Sequence, residues 1–388
     1  MRAPHDVLGE VSPERLRARR SAKWATHPED VLPAWVAETD FQLAPAVRLA
    51  LEEAIANDDC GYAFPAPLGP AFAAFAERRF GWRVEPGRVR LVPDVMSAVA
   101  ALLHAFAPPG GGVVVTPPVY PPFFSVVGEV GRRLVEAPLA AGPSGWELDL
   151  DAIERAFSGG CAAFLLCNPH NPTGLVLGRE TLEAVVALAG RYGVLVVADE
   201  IHAPLTLPGA THVPYLALGE EAAATGVSLT GSSKAWNVPG LKCGVLVSGS
   251  DAMDARLGER LPRSLPFHAG HLGVVASVAA FSDDGVWLDA LLDRLDGNRR
   301  LLAELLEREL PAVAYAPPEA GYLAWLDCRE LGLGDDPAAR FLERGRVALS
   351  PGPTFGTQGR GHARLNFGTS PELLEEIVRR MARALRSA

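Results

Sequence analysis

Cysteine is scarce in this chain. Its 388 residues hold five, Cys60, Cys161, Cys167, Cys243 and Cys328, and their spacing matches no metal site. An odd number of scattered thiols behind a start without signal-peptide character predicts reduced cysteines and a cytoplasmic setting. Basic charge is also short. Thirty-six Lys and Arg against 46 Asp and Glu leave a formal net charge of −10, which argues against nucleic acid or an acidic membrane as the main partner. No apolar run is long enough to span a bilayer. Internal repeats, low-complexity tracts and a Walker-type GKS/GKT signature are all missing. What the chain does have is core material. Hydrophobic residues make up 48% of it, at a length where one core tends to divide, so two lobes are expected.

Residues 1–30 are charged and read as a solvated helix. The segment PAWVAETDF (33–41) is unusually apolar for a loop and reads as a strap, either packed or walling a pocket. Helical spacing of apolar residues predicts helices over 46–56 and 72–80, with the punctuated loop of Tyr62 between them. Short apolar runs predict strands at 89–92, 112–115, 161–167, 194–198 and 227–229, separated by helices near 95–106 and 181–191. That alternation implies a mainly parallel sheet covered on both faces. Beyond residue 281 the pattern changes. A long helix (287–309), strands at 322–326, 347–349 and 363–366 and a closing helix (371–385) predict a smaller α+β lobe.

Chemistry-bearing residues fall at the ends of the predicted strands. LTGSSKAWNVPGLKCG (229–244) places Lys234 just past an apolar strand. Burial there lowers an amine's pKa and favours attack on carbonyls, although the stretch alone also fits a surface loop. Asp199, in DEIH, ends another apolar strand, where a carboxylate needs a cation or donor. NPHNPTG (168–174) is a defined turn at a strand's carboxyl end, the edge where open α/β sheets place ligands. Pro93-Asp94 opens a helix whose first N–H groups are free for an anion. Tyr120, among four prolines, is a stiff aromatic, either a platform for a flat ring or core. Arg364 in HARLNFG suits a carboxylate or a surface ion pair. Together these groups match pyridoxal phosphate (PLP): a lysine for the Schiff base, an acid for the pyridine nitrogen, a helix start and hydroxyls for the phosphate, and an arginine for the amino acid's carboxylate.

WVAETDF (35–41), PPVYPPF (117–123), CNPHNPTG (167–174), ADEIHAPL (198–205), SSKAWNVPGLK (232–242), GYLAWLDCR (321–329) and RLNFG (364–368) span nearly the whole chain. On these residues it resembles the class I/II aminotransferase superfamily of fold type I PLP enzymes, and within it the MalY/PatB-like cystathionine β-lyase (C–S lyase) group. His202, three places after Asp199, points to the lyases. The resemblance implies an α/β fold with three parts: an N-terminal segment (1–44), a large PLP domain on a mainly parallel sheet (45–280) and a small α+β domain (281–388). It implies Lys234 as Schiff-base lysine and proton carrier, Asp199 on the pyridinium, Asn171 and His202 near the phenolic oxygen and Tyr120 stacked on the ring. It also implies Val95 and Met96 N–H groups and the Ser232 hydroxyl around the phosphate, whose charge Lys242, a cation the lyase group often lacks, is expected to offset, and Arg364 on the substrate carboxylate with Ala37 and Asn171 nearby. Tyr62 is implied to reach the phosphate of the other subunit in a homodimer.

Four departures from the family pattern bear on the pocket: Asp94 in place of Gly, a cation at Lys242, Gly321 in place of Thr, and Ala63-Phe64 in place of Gly-Tyr. The expected reaction is β-elimination from an S-substituted cysteine to thiol, pyruvate and ammonia. An aminotransferase, which Lys242 would suit, is the alternative, and a regulatory protein that merely keeps the cofactor is a third reading.

Overall fold

The computed structural model describes residues 7–9, 11–142 and 145–386. Its largest element is a seven-stranded sheet of β1 (Val89–Val92), β2 (Gly112–Val115), β3 (Arg133–Glu136), β4 (Cys161–Cys167), β5 (Leu195–Asp199), β6 (Gly226–Thr230) and β7 (Gly244–Ser248). The spatial order is β1-β7-β6-β5-β4-β2-β3. Only β7 runs against its neighbours; the remaining pairs are parallel. β5 shows how both faces are used. Leu195 and Val197 enter one apolar cluster and Val196 and Ala198 the other, as a period of two requires.

Register then fixes the site. Cys167 pairs with Asp199 and Asp199 with Leu229, so β4, β5 and β6 end level with one another. The Asn-Pro turn, the DEIH segment and the lysine loop therefore emerge side by side at one sheet edge. The helices α1 (Pro45–Ala56), α2 (Leu68–Phe80) and α3 (Val95–Phe106) follow the expected periodicity. A further helix, α4 (His271–Ser282), packs on α1 and α2. Its sequence is apolar all round, so no amphipathic stripe announces it.

A second, antiparallel sheet holds β8 (Ala314–Tyr315), β9 (Leu323–Asp327), β10 (Ser350–Pro351) and β11 (His362–Asn366) in the order β8-β9-β11-β10. Nearby lie α5 (Val286–Glu309), α6 (Pro337–Gly345) and α7 (Pro371–Arg386), with α7 packed on the other two. Leu374, Ile377, Val378 and Met381 form the buried stripe of α7. The strand expected at 347–349 is divided. Val347–Ala348 pairs in parallel with Leu32–Pro33, whereas Ser350–Pro351 joins β11.

The expectation of a solvated N-terminal helix is corrected. Two short helices, Pro13–Arg17 and Ala22–Ala25, take its place, and residues 1–6 and 10 lie outside the described residues. Lys23 is 1% exposed and its ammonium sits 2.7 Å from Asp40 Oδ2. Trp24 Nε1 donates to the other oxygen of Asp40 at 2.9 Å. This buried pair anchors the strap. Further along, Asn366 Nδ2 donates to Val36 O and Glu38 O, each at 2.6 Å, and Asp40 N donates to Gly368 O at 2.9 Å. Among the described residues no helix is long and apolar enough to cross a membrane.

Candidate active site

A cavity of ≈ 310 Å³ opens at the carboxyl edge of the large sheet, between it, the strap and β11. That volume suits a small organic ligand. Ten of the twelve residues expected at the cofactor or substrate line it: Ala37, Val95, Met96, Tyr120, Asn171, Asp199, His202, Lys234, Lys242 and Arg364. Two do not. Ser232 is buried with its hydroxyl 2.8 Å from Ser277 Oγ, and it is the neighbouring Ser233 that lines the cavity. Tyr62 is 91% exposed and lies away from the cavity on its own chain.

Lys234 follows β6 in a turn and is part-buried, with Nζ 3.4 Å from Ala37 O. Desolvation, then the nearby Arg364 cation, lowers its ammonium pKa to about 8, against the opposing pull of Asp199 and Glu38. Asp199 is buried at the tip of β5, and burial raises its carboxyl to about 7. Its Oδ1 accepts from Ile201 N at 3.1 Å, the one hydrogen bond to this carboxylate among the described residues. The Lys234 ammonium pulls the carboxyl back down, while Glu200 adds to its rise.

His202 is buried beside Tyr322, its pKa driven down to about 3 by burial and by the Lys234 and Arg364 cations, so the imidazole is neutral. Gly321 faces it. A Cβ at Gly321 would stand 3.6 Å from His202 Nδ1, and the residue's φ of +82° is one that side chains avoid. Tyr120 packs edge-on against Phe123, and its phenol is held above the usual range by burial and by Asp199.

Arg364 comes from the middle of β11 and is 6% exposed. One terminal nitrogen donates to Asn171 Oδ1 at 2.9 Å; the other donates to Trp35 O at 2.8 Å and Ser350 Oγ at 3.0 Å. These contacts aim the fork, while Nε is buried with no hydrogen-bond partner among the described residues. A buried guanidinium donor left over at a cavity is a seat for an anionic oxygen.

At the other end α3 begins. Asp94 is its cap: Oδ1 accepts from Ser97 N at 2.7 Å and the carbonyl accepts from Ala98 N at 3.1 Å. The N–H groups of Val95 and Met96 have no partner within the helix, and both residues line the cavity. Asp94 Oδ2 meets Lys242 Nζ at 3.0 Å.

Several contributors carried no local signal. Tyr322 OH donates to Ala37 O at 3.1 Å, fixing the carbonyl that Lys234 also approaches. Asn237 makes two reciprocal bonds with the Thr39 backbone, each 3.0 Å. Cys167 lines the cavity while its Sγ accepts from Asn171 N at 3.4 Å. Such partners lie far apart in sequence, and pattern reading does not pair them.

The donor set fits a phosphorylated, ring-bearing aldehyde. Free helix N–H groups and a lysine lie at one end, an amine and a strand-end acid in the middle, and an unfilled guanidinium donor at the other. Comparison with known proteins agrees. Residues 38–381 match the family Aminotransferase class I and II. A protein of Mycobacterium leprae (strain TN), provisionally named cystathionine beta-lyase, is 44% identical over 97% of this chain and 98% of its own. Cystathionine beta-lyase PatB of Bacillus subtilis (strain 168) is 36% identical over 96% and 98%. A crystal structure from Corynebacterium diphtheriae, of a protein provisionally named a PLP-dependent β-cystathionase, superposes with a TM-score of 0.93 at 35% identity, covering 98% of this chain and 99% of that one. The chain belongs to the class I and II aminotransferase family.

Proposed function

We propose that this protein is a PLP-dependent carbon–sulfur lyase that removes the sulfur substituent from an S-substituted L-cysteine such as cystathionine, yielding a thiol, pyruvate and ammonia. The observation that carries this reading is a lysine with its ammonium lowered to about 8, sharing one cavity with a buried strand-end acid and a buried arginine that has a spare donor.

PLP, when bound, supplies an aldehyde that condenses with amines and a ring that accepts the electron pair of the substrate's α-carbon. The chain's own groups do the rest. Arg364 holds the substrate carboxylate, with Asn171 keeping the fork in place. Lys234 Nζ, lowered toward neutral pH, takes the α-proton. The Cβ–S bond then breaks, and sulfur leaves with a proton from Lys234 or water. The remaining enamine, 2-aminoacrylate, tautomerises to its imine, and water displaces ammonia to leave pyruvate. Asp199 supplies the negative charge that keeps the pyridine nitrogen protonated. Neutral His202 and Asn171 offer hydrogen bonds to the ring oxygen, Tyr120 covers the ring face, and the Val95 and Met96 N–H groups with Lys242 take the phosphate.

In this reading the chain works as an N-terminal segment to residue 44, a large cofactor domain (45–280) and a small domain (281–388), within a cytoplasmic homodimer. The strap's pairing with Val347–Ala348 supports the first boundary. The 91% exposure of Tyr62, beside Phe64 at 65%, supports a partner's site as its destination. Four buried free cysteines suit a reducing compartment.

The test is incubation of the loaded enzyme with cystathionine or an S-alkyl cysteine, with and without a keto acid. Thiol and pyruvate released without the keto acid support elimination. Turnover that needs the keto acid and releases no thiol makes the protein an aminotransferase instead.

A further inference from the structure

Asp94 is out of place beside a phosphate seat. An acid there repels a dianion, yet the structure gives this one two fixed contacts. Oδ1 caps α3, taking Ser97 N at 2.7 Å, and Oδ2 holds Lys242 Nζ at 3.0 Å. Both residues line the cavity together with Val95 and Met96. The pair is half in water, with side chains 33% and 56% exposed. Lys242 is itself held by its backbone, at φ 58°, and its carbonyl accepts from Gly270 N at 2.8 Å. The lysine is thus tethered at the seat and already neutralised there.

We infer that Asp94 competes with the cofactor's phosphate for Lys242, and so weakens the hold on the cofactor and sets how readily it leaves. This rests on the cofactor reading above. The seat is charge-balanced before any anion arrives. An incoming phosphate gains the two helix N–H groups, but it must share or break the Lys242 contact while facing the Asp94 carboxylate. Removing that carboxylate without removing the cap should turn the seat net positive.

Asp94→Asn does this, because asparagine caps a helix about as well as aspartate. The measurement uses apo-protein, with inorganic phosphate as the probe in one arm and PLP in the other. Binding is followed by the shift in Tm with phosphate and by equilibrium dialysis with PLP. Relative to wild type, Asp94→Asn is expected to lower the dissociation constant for both probes by about tenfold, a difference of ~1.4 kcal/mol. Lys242→Met is expected to raise both by a similar factor. Circular dichroism and the ligand-free Tm of Asp94→Asn verify that α3 is intact. If wild type takes up PLP at Lys234 but Asp94→Asn binds neither probe more tightly, the inference is overturned and the functional reading stands. If wild-type apo-protein takes up neither probe, both are overturned.

Discussion

The two ends of the cavity are built differently. At the inner end Asp199, His202 and Arg364 are buried and Lys234 is part-buried. Desolvation there moves every one of these groups toward its uncharged form. At the outer end Asp94 and Lys242 share one ion pair in partial contact with water, and Asp94 is kept ionised by its hydrogen bonds to Ser97 and Lys242, which outweigh its desolvation. The inner end can therefore take and give protons near neutral pH, whereas the outer end can only recognise charge. One cavity separates reactivity from grip by controlling how much water each end sees.

The largest expected effect comes from the inner end. Lys234→Ala should reduce thiol release by about 10⁴-fold, since it removes both the attacking amine and the proton carrier; steady-state assays with an S-alkyl cysteine measure this. Arg364→Lys should follow. It keeps a cation but loses the fork and the spare Nε, so KM for the amino acid should rise by about 30-fold or more, with cofactor uptake nearly unchanged.

Asp199 offers a sharper test of burial. Its folded pKa is raised from 3.8 to about 7. A raised carboxyl favours the neutral state, so its stability contribution is complete below pH 3.8 and is lost as pH climbs through about 7. Apo Asp199→Asn should thus be more stable than apo wild type at pH 8, by on the order of 3 kcal/mol, and the gap should narrow toward pH 5. With cofactor bound the order should reverse, because the pyridinium then needs the carboxylate. Chemical denaturation of both forms at the two pH values decides it.

For Lys234 the folded pKa is lowered to about 8, so PLP uptake by apo-protein should quicken with rising pH and level off above that value. Stopped-flow absorbance follows it. The smallest effect should come from Gly321→Ala. It places a methyl at φ +82°, 3.6 Å from His202 Nδ1, and should cost about 1 kcal/mol of stability, seen as a small drop in Tm.

Much of this architecture could be read from residue order. The runs at Val89–Val92, Gly112–Val115 and Cys161–Cys167 stand as strands with the expected limits, because each is a short, largely apolar run ended by turn residues. Lys234, Asp199 and Arg364 were legible because their types are out of place where they stand. Other features were not. β3 reads Arg-Leu-Val-Glu with both ends exposed, which gives an edge strand no apolar signature. The reversed direction of β7 has no trace in its composition. Choosing Ser233 over the expected Ser232 needed the rotation of the turn after β6, and Tyr322 acts through a strap carbonyl that no local pattern connects to it. The buried Lys23 looked like solvent-facing charge because its partner, Asp40, belongs to a different segment.

Ala37 presents one carbonyl to two donors, Tyr322 OH from the small sheet and Lys234 Nζ from across 197 positions of chain. It is a berth for the amine whenever that amine is uncommitted. Because Lys23, Asp40 and Asn366 hold that stretch taut, a substitution in the far N-terminal region would be felt as a change in where a liberated lysine rests. The resting place of that amine is thus tied, through the backbone of the strap, to side chains well outside the cavity.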